Sequence, residues 1–421
     1  MYIQGNNMSK ILDRRRSSDP SSPTAAALDM PLAGADSLAT EVLSVQMRSV
    51  GHKTYAKIIR DSSSHEMGVN VDSYWVDDER SALTKVVRKL AEFRVPTLSK
   101  RNLDFRRARA EWATGNMSYQ LARKKTRSKA YDVLHFHTQT AAFGSVSLMK
   151  SIPTVITIDM TAFQLMREHN SGPAWTYRPN VLMERSVFAE AAHIVAFSDW
   201  ARNSVINEHG IAPERVSVIT PGVLMEAFPT PQFISDREPG KPRILFVGNE
   251  FHRKGGDDLL AVFAEHFASK AELHLVTNDP VASPSESVFI HRGVSSYTPE
   301  WHRLYAQAEI FVMTSRAEAL GMVFQEAAAS GLALIGTEVG GIPEMIDHDV
   351  NGFLITPGDR EALRRFLGVL IDDSALRTRM RIASHEKALR EFNARTNASR
   401  MFELFRTVAA TSNARRTLPV S

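Results

Sequence analysis

Residues 310–359 read "IFVMTSRAEALGMVFQEAAASGLALIGTEVGGIPEMIDHDVNGFLITPGD", and this stretch decides the fold. The short apolar runs at 310–314 and 333–336 predict strands buried on both faces of a parallel sheet. The Ala-rich segment 323–330 predicts a tightly packed helix, which Gly331 ends. A second turn, "VGGIPEM", leads into another short helix. This alternation of strands and helices predicts an α/β fold built on a parallel sheet.

Two carboxylates of the stretch lie where such a sheet binds ligands. Glu318 is in the loop after the first strand, and Glu326 follows after seven intervening residues, about one turn inside the helix. Ligands of open α/β sheets bind at the carboxyl edge, and a helix N-terminus there offers N–H groups to phosphates. Gly321 allows the backbone to approach a ligand closely. Taken alone, two such carboxylates are more often solvated residues of a loop and a helix than parts of a site.

The complete pattern resembles the signature of family 4 glycosyltransferases. That signature has a Glu, seven residues, a second Glu, a helix of small residues, a Gly turn, a strand and a "GG-x-x-E" turn, in the order found here. The resemblance covers about residues 41–410. It implies the GT-B fold, in which two Rossmann-like domains face each other across a cleft. It also implies retaining transfer of a hexosyl unit from a nucleoside-diphosphate sugar to an acceptor hydroxyl, in polysaccharide, glycolipid or other glycan synthesis.

Composition agrees with a two-domain α/β protein. The chain has 421 residues, of which 43% are hydrophobic and 23% charged, and it contains no cysteine. The length is too great for one core and fits two domains. Without cysteine there are no disulfides, no thiolate catalysis and no Cys-built zinc sites. The sequence has neither a run of eighteen apolar residues nor an apolar core behind the basic cluster near its start. We therefore expect a cytoplasmic protein.

Six segments follow from the sequence and the resemblance. The predicted boundaries are a disordered tail at 1–39, an N-terminal acceptor domain at 40–222, a Pro- and Gly-containing linker at 223–242, a C-terminal donor domain at 243–395, a helix returning to the first domain at 396–411, and a tail at 412–421.

The second domain opens with a candidate phosphate site. "RILFVGNEFHRKGGDDLL" predicts a strand at 243–247, a polar loop and a helix that begins at Gly256 or Asp257. Arg253 and Lys254 precede the helix, so a diphosphate there would meet both fixed cations and the helix dipole. The resemblance assigns the donor phosphates to this loop. Since Asn249 replaces the usual Arg after the first glycine, we expect Arg253 to supply the second positive charge.

The resemblance also gives roles to the central stretch. It implies that Glu318 holds the sugar hydroxyls and stabilises an oxocarbenium-like transition state. Glu326 is expected to bind the ribose hydroxyls. The backbone amides of Gly321, Met322 and Val323 are expected to hold the sugar and the diphosphate.

Three further positions complete the predicted site. Val294, in the loop after His291, is the expected contact of the nucleotide base. Gly51 lies in the loop that corresponds to the family's glycine-rich loop, where the family usually has two adjacent glycines. Asp159 ends the strand "VITID", where the family commonly has a His. An acid there can still accept a sugar hydroxyl proton, so the replacement bears on the choice of donor sugar.

No metal or other cofactor is predicted, and the nucleotide sugar is a co-substrate. The acidic doublets "VDD" and "IDD" lack the spacing of an Asp-x-Asp metal motif, and diphosphate charge can be met by cations and helix N–H groups. His135 and His137 alternate onto one side of a predicted strand, as two metal ligands would. Because no third ligand of suitable spacing follows, we interpret them as core or rim residues.

The segment 85–129 is strongly basic, with fourteen Lys or Arg against three acids, although the net charge of the whole chain is only +4. It contains an amphipathic helical pattern. One interpretation is a solvated helical cover on the sheet. A second is a patch that binds an anionic membrane surface, which would make the protein peripheral to the cytoplasmic membrane. The third, nucleic-acid binding, lacks an accompanying motif, so no nucleic-acid partner is expected.

Other functions fit the same fold. A GT-B sugar-nucleotide epimerase would use a similar donor site, and turnover without an acceptor would reveal it. A non-catalytic nucleotide-binding or membrane-associated GT-B protein would keep the cleft without turnover. The expected partners of the enzyme are a nucleotide sugar and a glycan or lipid-linked acceptor.

Overall fold

The computed structural model describes residues 39–47, 52–64, 66–76, 82–100, 103–169, 173–228 and 240–417. Nearly all of the predicted tail at 1–39, the loop glycine Gly51 and most of the predicted linker lie outside these described residues.

The first half of the chain forms a parallel sheet of six strands in the order β2-β1-β3-β4-β5-β6. The strands are β1 (Thr40–Gln46), β2 (Val69–Trp75), β3 (Val133–His137), β4 (Thr154–Ile158), β5 (His193–Ala196) and β6 (Val216–Val218). The helices are α1 (His52–Ser63), α2 (Ala82–Glu92), α3 (Pro96–Lys100), α4 (Arg106–Ser128), α5 (Gln139–Ala142), α6 (Val146–Met149), α7 (Ala162–His169), α8 (Arg178–Glu190) and α9 (Asp199–Asn207).

The second half repeats the design in the order β12-β11-β10-β7-β8-β9, again with every pairing parallel. Its strands are β7 (Arg243–Val247), β8 (Glu272–Val276), β9 (Val288–His291), β10 (Ile310–Met313), β11 (Ala333–Thr337) and β12 (Gly352–Ile355). Its helices are α10 (Gly256–His266), α11 (Pro299–Gln307), α12 (Met322–Ala329), α13 (Ile342–Met345), α14 (Arg360–Asp372), α15 (Ser374–Glu391) and α16 (Ala394–Thr417).

The strands of the deciding stretch are buried along their whole length, as the apolar runs predict. Every residue of β10 and β11 is buried. Their neighbours in the sheet are β7 on one side and β12 on the other. Parallel strands with helices on both faces exclude water from both sides, which explains why neither strand alternates apolar with polar residues. The fold is therefore GT-B, with two Rossmann-like domains.

The last helix returns to the first domain. α16 packs against α1, β1, β2 and β3. The ring of Phe405 lies 5.3 Å from that of the buried His135, and the Arg406 guanidinium pairs with Glu66. The helix begins at Ala394 and ends at Thr417, so it includes six residues that were predicted as tail. The domain boundaries themselves stay predictions.

Helices α2 and α4 of the basic segment 85–129 pack differently in the first domain. α4 covers part of the sheet: it contacts β1 and buries Leu121 and Ala122 in the core of the first domain. α2 packs on α4 instead, and Val87, Leu90 and Phe93 are exposed. None of the helices in the described ranges is both long and apolar enough to cross a membrane.

Candidate functional site

The loop between β7 and α10 is shaped by a glycine that no other residue can replace without strain. Gly255 precedes the helix with φ of +73°, and a Cβ added there would lie 2.1 Å from the carbonyl oxygen of Thr314. The hydroxyl of Thr314 donates to the Gly255 carbonyl at 3.1 Å. This close approach joins the loop before α10 to the end of β10, and it fixes the start of α10.

Lys254 and Glu318 meet at this edge. Lys254 Nζ lies 3.2 Å from Glu318 Oε2, and both side chains are largely buried. The aliphatic part of Lys254 lies over Gly248, where an added Cβ would come within 2.4 Å of Lys254 Cδ. The structure thus brings together the predicted phosphate cation and the predicted sugar-binding carboxylate, which are sixty-four residues apart in sequence.

Arg253 lies beside them and is held by its own loop. One guanidinium nitrogen is 3.8 Å from Glu318 Oε2. The same group donates to the carbonyl oxygen of Ala317, and Nε pairs with Glu250. Arg253 therefore links the two loops, while Lys254 makes the closer contact with Glu318.

The glycine pair of "VGGIPEM", Gly340 and Gly341, packs against the backbone of the loop that carries Glu318. Gly340 has φ of +55°, and a Cβ on it would lie 1.7 Å from the carbonyl oxygen of Glu318. The N–H of Gly341 donates to the carbonyl of Ala319 at 2.8 Å. A side chain at Gly340 would push the Glu318 backbone out of place, so this glycine serves the geometry of the site.

Gly321 starts α12 in the left-handed conformation, with φ of +72°. Its carbonyl accepts from Phe324 N at 2.8 Å, and a Cβ on Gly321 would lie 3.5 Å from Glu318 Cγ. Met322 and Val323 form the first turn of the helix and are half-buried. The three residues are therefore placed next to Glu318 at a helix N-terminus, which favours an anionic ligand.

Glu326 lies deeper than a solvated helix residue. It is buried, and Tyr305 donates to its Oε2 at 3.0 Å. Burial raises the pKa of Glu326 to about 7, while the Tyr305 hydroxyl and the charge of Lys254 act in the opposite direction. The hydroxyl of Tyr297 is buried close by without a hydrogen-bond partner. Glu326, Tyr305 and Tyr297 therefore form a buried polar cluster at α12.

The loop after β9 is fixed by its neighbours. Gly293 N donates to Asn278 Oδ1 at 2.8 Å, and Arg292 donates to the carbonyl of Val281 at 3.0 Å. Val294 packs against the core of the second domain.

In the first domain, Asp159 directly follows β4, at the carboxyl edge of its sheet. Its Oδ1 accepts from Met160 N at 2.9 Å. His135 and His137 are both buried and bond to Ser44 and Thr157, at 2.9 Å and 2.6 Å respectively. Burial lowers the pKa of His135 to about 3. These histidines are core residues, and no cluster suited to a metal ion occurs among the residues that the structure describes.

Sequence reasoning missed residues that join the two domains. Gln325 accepts from Gly222 N at 3.1 Å and donates to Thr220 Oγ1 at 2.6 Å. Glu344 accepts from the amides of Asp199 and Trp200 at 2.8 Å and 2.9 Å. Glu344 is the acid of the "GG-x-x-E" turn, so the motif gave a signal for it, whereas Gln325 and Tyr305 had none.

Two family models match the chain. Residues 65–226 match the model described as Glycosyltransferase Family 4, and residues 241–373 match that described as Glycosyl transferases group 1. The two matches together cover well over half of the chain. The chain belongs to the family 4 glycosyltransferases. A glycosyltransferase of this kind transfers a sugar from a nucleotide sugar.

Curated relatives agree with the family. The glycosyltransferase is 27% identical over 316 residues to the alpha-maltose-1-phosphate synthase of Mycolicibacterium smegmatis, a match that covers 67% of this chain and 81% of the relative. It is 26% identical over 292 residues to D-inositol 3-phosphate glycosyltransferase 1 of Catenulispora acidiphila, covering 61% of this chain and 68% of that protein.

Solved structures share the fold of this glycosyltransferase. A sucrose-phosphate synthase from Thermosynechococcus elongatus superposes with a TM-score of 0.67 at 16% identity, covering 88% of this chain and all of the other. Anabaena HepE in complex with UDP-glucose gives a TM-score of 0.61 at 18% identity, and the match covers 87% of this chain and 99% of HepE.

Proposed function

We propose that this glycosyltransferase moves a hexosyl unit from a nucleoside-diphosphate sugar to an acceptor hydroxyl with retention at the anomeric carbon. Its pathway would be the synthesis of a polysaccharide, a glycolipid or another glycan. The observation that carries the proposal is the meeting of Lys254 and Glu318 at 3.2 Å, beside the N-terminus of α12. A cation for the leaving diphosphate and a carboxylate for the sugar are the two charges that this transfer needs.

Lys254 and Arg253 bind the donor diphosphate in this proposal. Both come from the loop before α10, where the helix dipole adds to their charge. A diphosphate competes with Glu318 for Lys254, so donor binding leaves the Glu318 carboxylate available to the sugar. The amides of Gly321, Met322 and Val323 add N–H donors on the side of α12.

Glu318 stabilises positive charge that develops on the sugar ring as the bond to the diphosphate breaks. Its backbone packs directly against Gly340, which helps to position the carboxylate. Glu326 accepts the ribose hydroxyls, since it is anchored by Tyr305 at 3.0 Å. Val294 contacts the base.

The first domain supplies the acceptor side. Asp159 at the end of β4 accepts a hydroxyl proton of the donor sugar or the acceptor, and its place in the family pattern supports that role. Gly51, which lies outside the described residues, is proposed to approach the donor. A glycan or a lipid-linked sugar is the proposed acceptor.

A donor panel tests the proposal. UDP-, GDP- and ADP-sugars are compared by thermal shift, since a ligand that binds only the folded state raises the melting temperature by mass action. The UDP-glucose in the HepE structure makes that sugar the first to try. We expect one base to stabilise the wild type, and Lys254→Ala to lose most of the shift. No shift with any of these donors contradicts the proposal.

Product analysis separates the alternatives. Retention is read from the anomeric configuration of the new bond by NMR. A sugar-nucleotide epimerase converts its donor without acceptor and gives no new glycosidic bond. A non-catalytic binding protein shows the thermal shift with neither reaction. Either result contradicts the proposal that the chain is a glycosyl-transferring enzyme with a separate acceptor.

The location is part of the same proposal. The lack of cysteine supports a cytoplasmic protein. The predicted peripheral contact with an anionic membrane through 85–129 would bring the cleft to a lipid-linked acceptor.

A further inference from the structure

Helix α2 turns its apolar side outward. Val86, Val87, Leu90 and Phe93 fall on one face by their spacing, and they are 54%, 41%, 68% and 61% exposed. The partly covered residues between 86 and 92 are Arg88 and Ala91. A surface helix of a globular protein has the opposite arrangement, with its apolar stripe on the core. In α2 the apolar side, which an ordinary surface helix buries, is exposed to solvent.

The same segment exposes further large hydrophobic residues. Half of the fourteen that the described part of the chain exposes lie within residues 86–112. Surface hydrophobics scattered singly need no explanation, whereas a concentration of them marks an interaction site. We call this set the apolar row; its members are Val86, Val87, Leu90, Phe93, Leu98, Leu103 and Trp112.

Hydrogen bonds and an ion pair fix the backbone between α2 and α4, on which several members of the apolar row lie. Asp104 is buried, accepts from Val95 N at 3.0 Å and pairs with Arg109 at 2.8 Å. Arg109 also donates to the carbonyl of Phe93 at 2.8 Å. These bonds tie the end of α2 to the start of α4. The exposed side chains are therefore presented by fixed backbone.

The positive charge around the apolar row indicates which class of partner binds it. The segment 85–129 has an excess of eleven positive charges, and Lys89, Lys100 and Arg106 are exposed among the row's members. A nucleic acid would meet the charges and leave the hydrophobic side chains in water. A neutral apolar partner would bury the side chains and gain nothing from the charges. A bilayer that contains anionic lipid matches both features.

We propose that the apolar row inserts into the interfacial region of an anionic lipid bilayer while the surrounding cations bind its headgroups. Amphipathic helices lie in this way about 5–10 Å deep at the boundary between headgroups and acyl chains. The proposal rests on the peripheral location proposed above and names the surface and its partner. Vesicle binding is measured without donor or acceptor, so its failure leaves the proposed transferase reaction untouched.

Vesicle co-sedimentation of the full chain tests it. Phosphatidylcholine vesicles are compared with vesicles that also contain phosphatidylglycerol. We expect binding only to the anionic vesicles, and loss of binding at about 0.5 M salt, where screening shortens the reach of the charges to a few ångströms. Equal binding to both vesicles, or binding to neither, overturns the proposal.

Two variants separate the apolar and the charged contributions. The first is Val86→Ser with Leu90→Ser and Phe93→Ser, and the second is Lys89→Glu with Lys100→Glu and Arg106→Glu. Each is expected to weaken binding to anionic vesicles by about tenfold or more. The matched controls change exposed residues outside the first domain and should bind as the wild type does: Val350→Ser, Val369→Ser and Leu389→Ser in one variant, and Lys241→Glu, Arg303→Glu and Arg379→Glu in the other.

Because the chain has no cysteine, a single label reports insertion directly. Leu90→Cys carries an environment-sensitive dye, and Val350→Cys serves as the control. The dye at 90 should shift to the blue with anionic vesicles and the dye at 350 should not. An unshifted dye at 90, or an apolar-row variant that binds like the wild type, contradicts insertion. Unchanged melting temperature and donor turnover in the variants show that loss of binding is not loss of the fold or of the donor site.

Discussion

At the scale of single residues, the proposed donor site depends on Lys254. Its ammonium group contacts Glu318 at 3.2 Å and lies next to the start of α10. Replacing Lys254 by Ala removes the proposed charge-assisted contact to the diphosphate. We expect a loss of about 1.5–3 kcal/mol, or about tenfold to a hundredfold in donor affinity, measured by titration calorimetry. Lys270→Ala is the control, because Lys270 is an exposed lysine paired with Asp372. Equal affinity of the two variants for the donor contradicts the assignment.

The two carboxylates of the signature should differ in what they bind. Glu318→Gln is expected to lower turnover more than nucleotide affinity, because Glu318 faces the reacting sugar in our proposal. Glu326→Gln is expected to weaken binding of the free nucleoside diphosphate as well as binding of the nucleotide sugar. Affinities for both ligands and turnover are measured for each variant. If the two variants change the three quantities in the same proportion, the division of roles is wrong.

Glu326 also predicts how stability depends on pH. Burial raises the pKa of Glu326 from 4.5 to about 7, against the opposing effects of Tyr305 and Lys254. Between those values the folded chain holds a proton that the unfolded chain releases. The contribution of protonated Glu326 to the free energy of unfolding is therefore fully present below about pH 4.5, and it is lost as the pH rises through about 7.

Denaturant titrations between pH 5 and pH 8 check this expectation. Glu326→Gln should show a weaker decrease in the free energy of unfolding with rising pH than the wild type does. Glu111 acts in the same direction, because burial raises its pKa to about 7. The exposed Glu286→Gln is the control and should keep the wild-type slope. An unchanged slope in Glu326→Gln shows that this carboxyl does not titrate in that range.

At the scale of elements, the loop before α10 needs a glycine for two separate reasons. Gly255 has φ of +73° and no room for a Cβ, whereas Gly358 has φ of +80° and nothing within 4 Å of the added atom. Both Ala variants incur left-handed strain of about 1–2 kcal/mol, but only Gly255→Ala also collides with backbone. We expect Gly255→Ala to lower the melting temperature by several degrees more than Gly358→Ala, and to lower donor binding. Equal melting temperatures would show that the loop relaxes away from Thr314.

At the scale of the whole molecule, Glu344 joins the two domains. This carboxylate of α13 accepts both amides at the start of α9, and partial burial raises its pKa. Glu344→Ala removes these acceptors. We expect amide hydrogen exchange at Asp199 and Trp200 to speed up by about tenfold, as for the loss of a charge-assisted hydrogen bond. The neighbouring exposed Glu338→Ala is the control. Unaltered exchange at the two amides would show that the contact contributes nothing in solution.

The sequence alone determined the architecture around 310–359. Apolar runs, Gly331 and the spacing of Glu318 and Glu326 predicted the strands, the helix end and the family, and each is confirmed. These features are local: strand burial, helix stops and turn glycines are set by residues adjacent in sequence. For the same reason, Arg253 and Lys254 could be placed before a helix without knowledge of the remaining chain.

Only the tertiary structure decided which neighbours these residues meet. The partner of Glu326 is Tyr305 on another helix, and Gln325 reaches Thr220, more than a hundred residues away. The amphipathic pattern near Leu90 correctly defined an apolar face, but it could not show that this face points to solvent. Periodicity fixes which side chains share a side of a helix. Which side is covered depends on the long-range packing of α2 on α4, and no local signal encodes that choice.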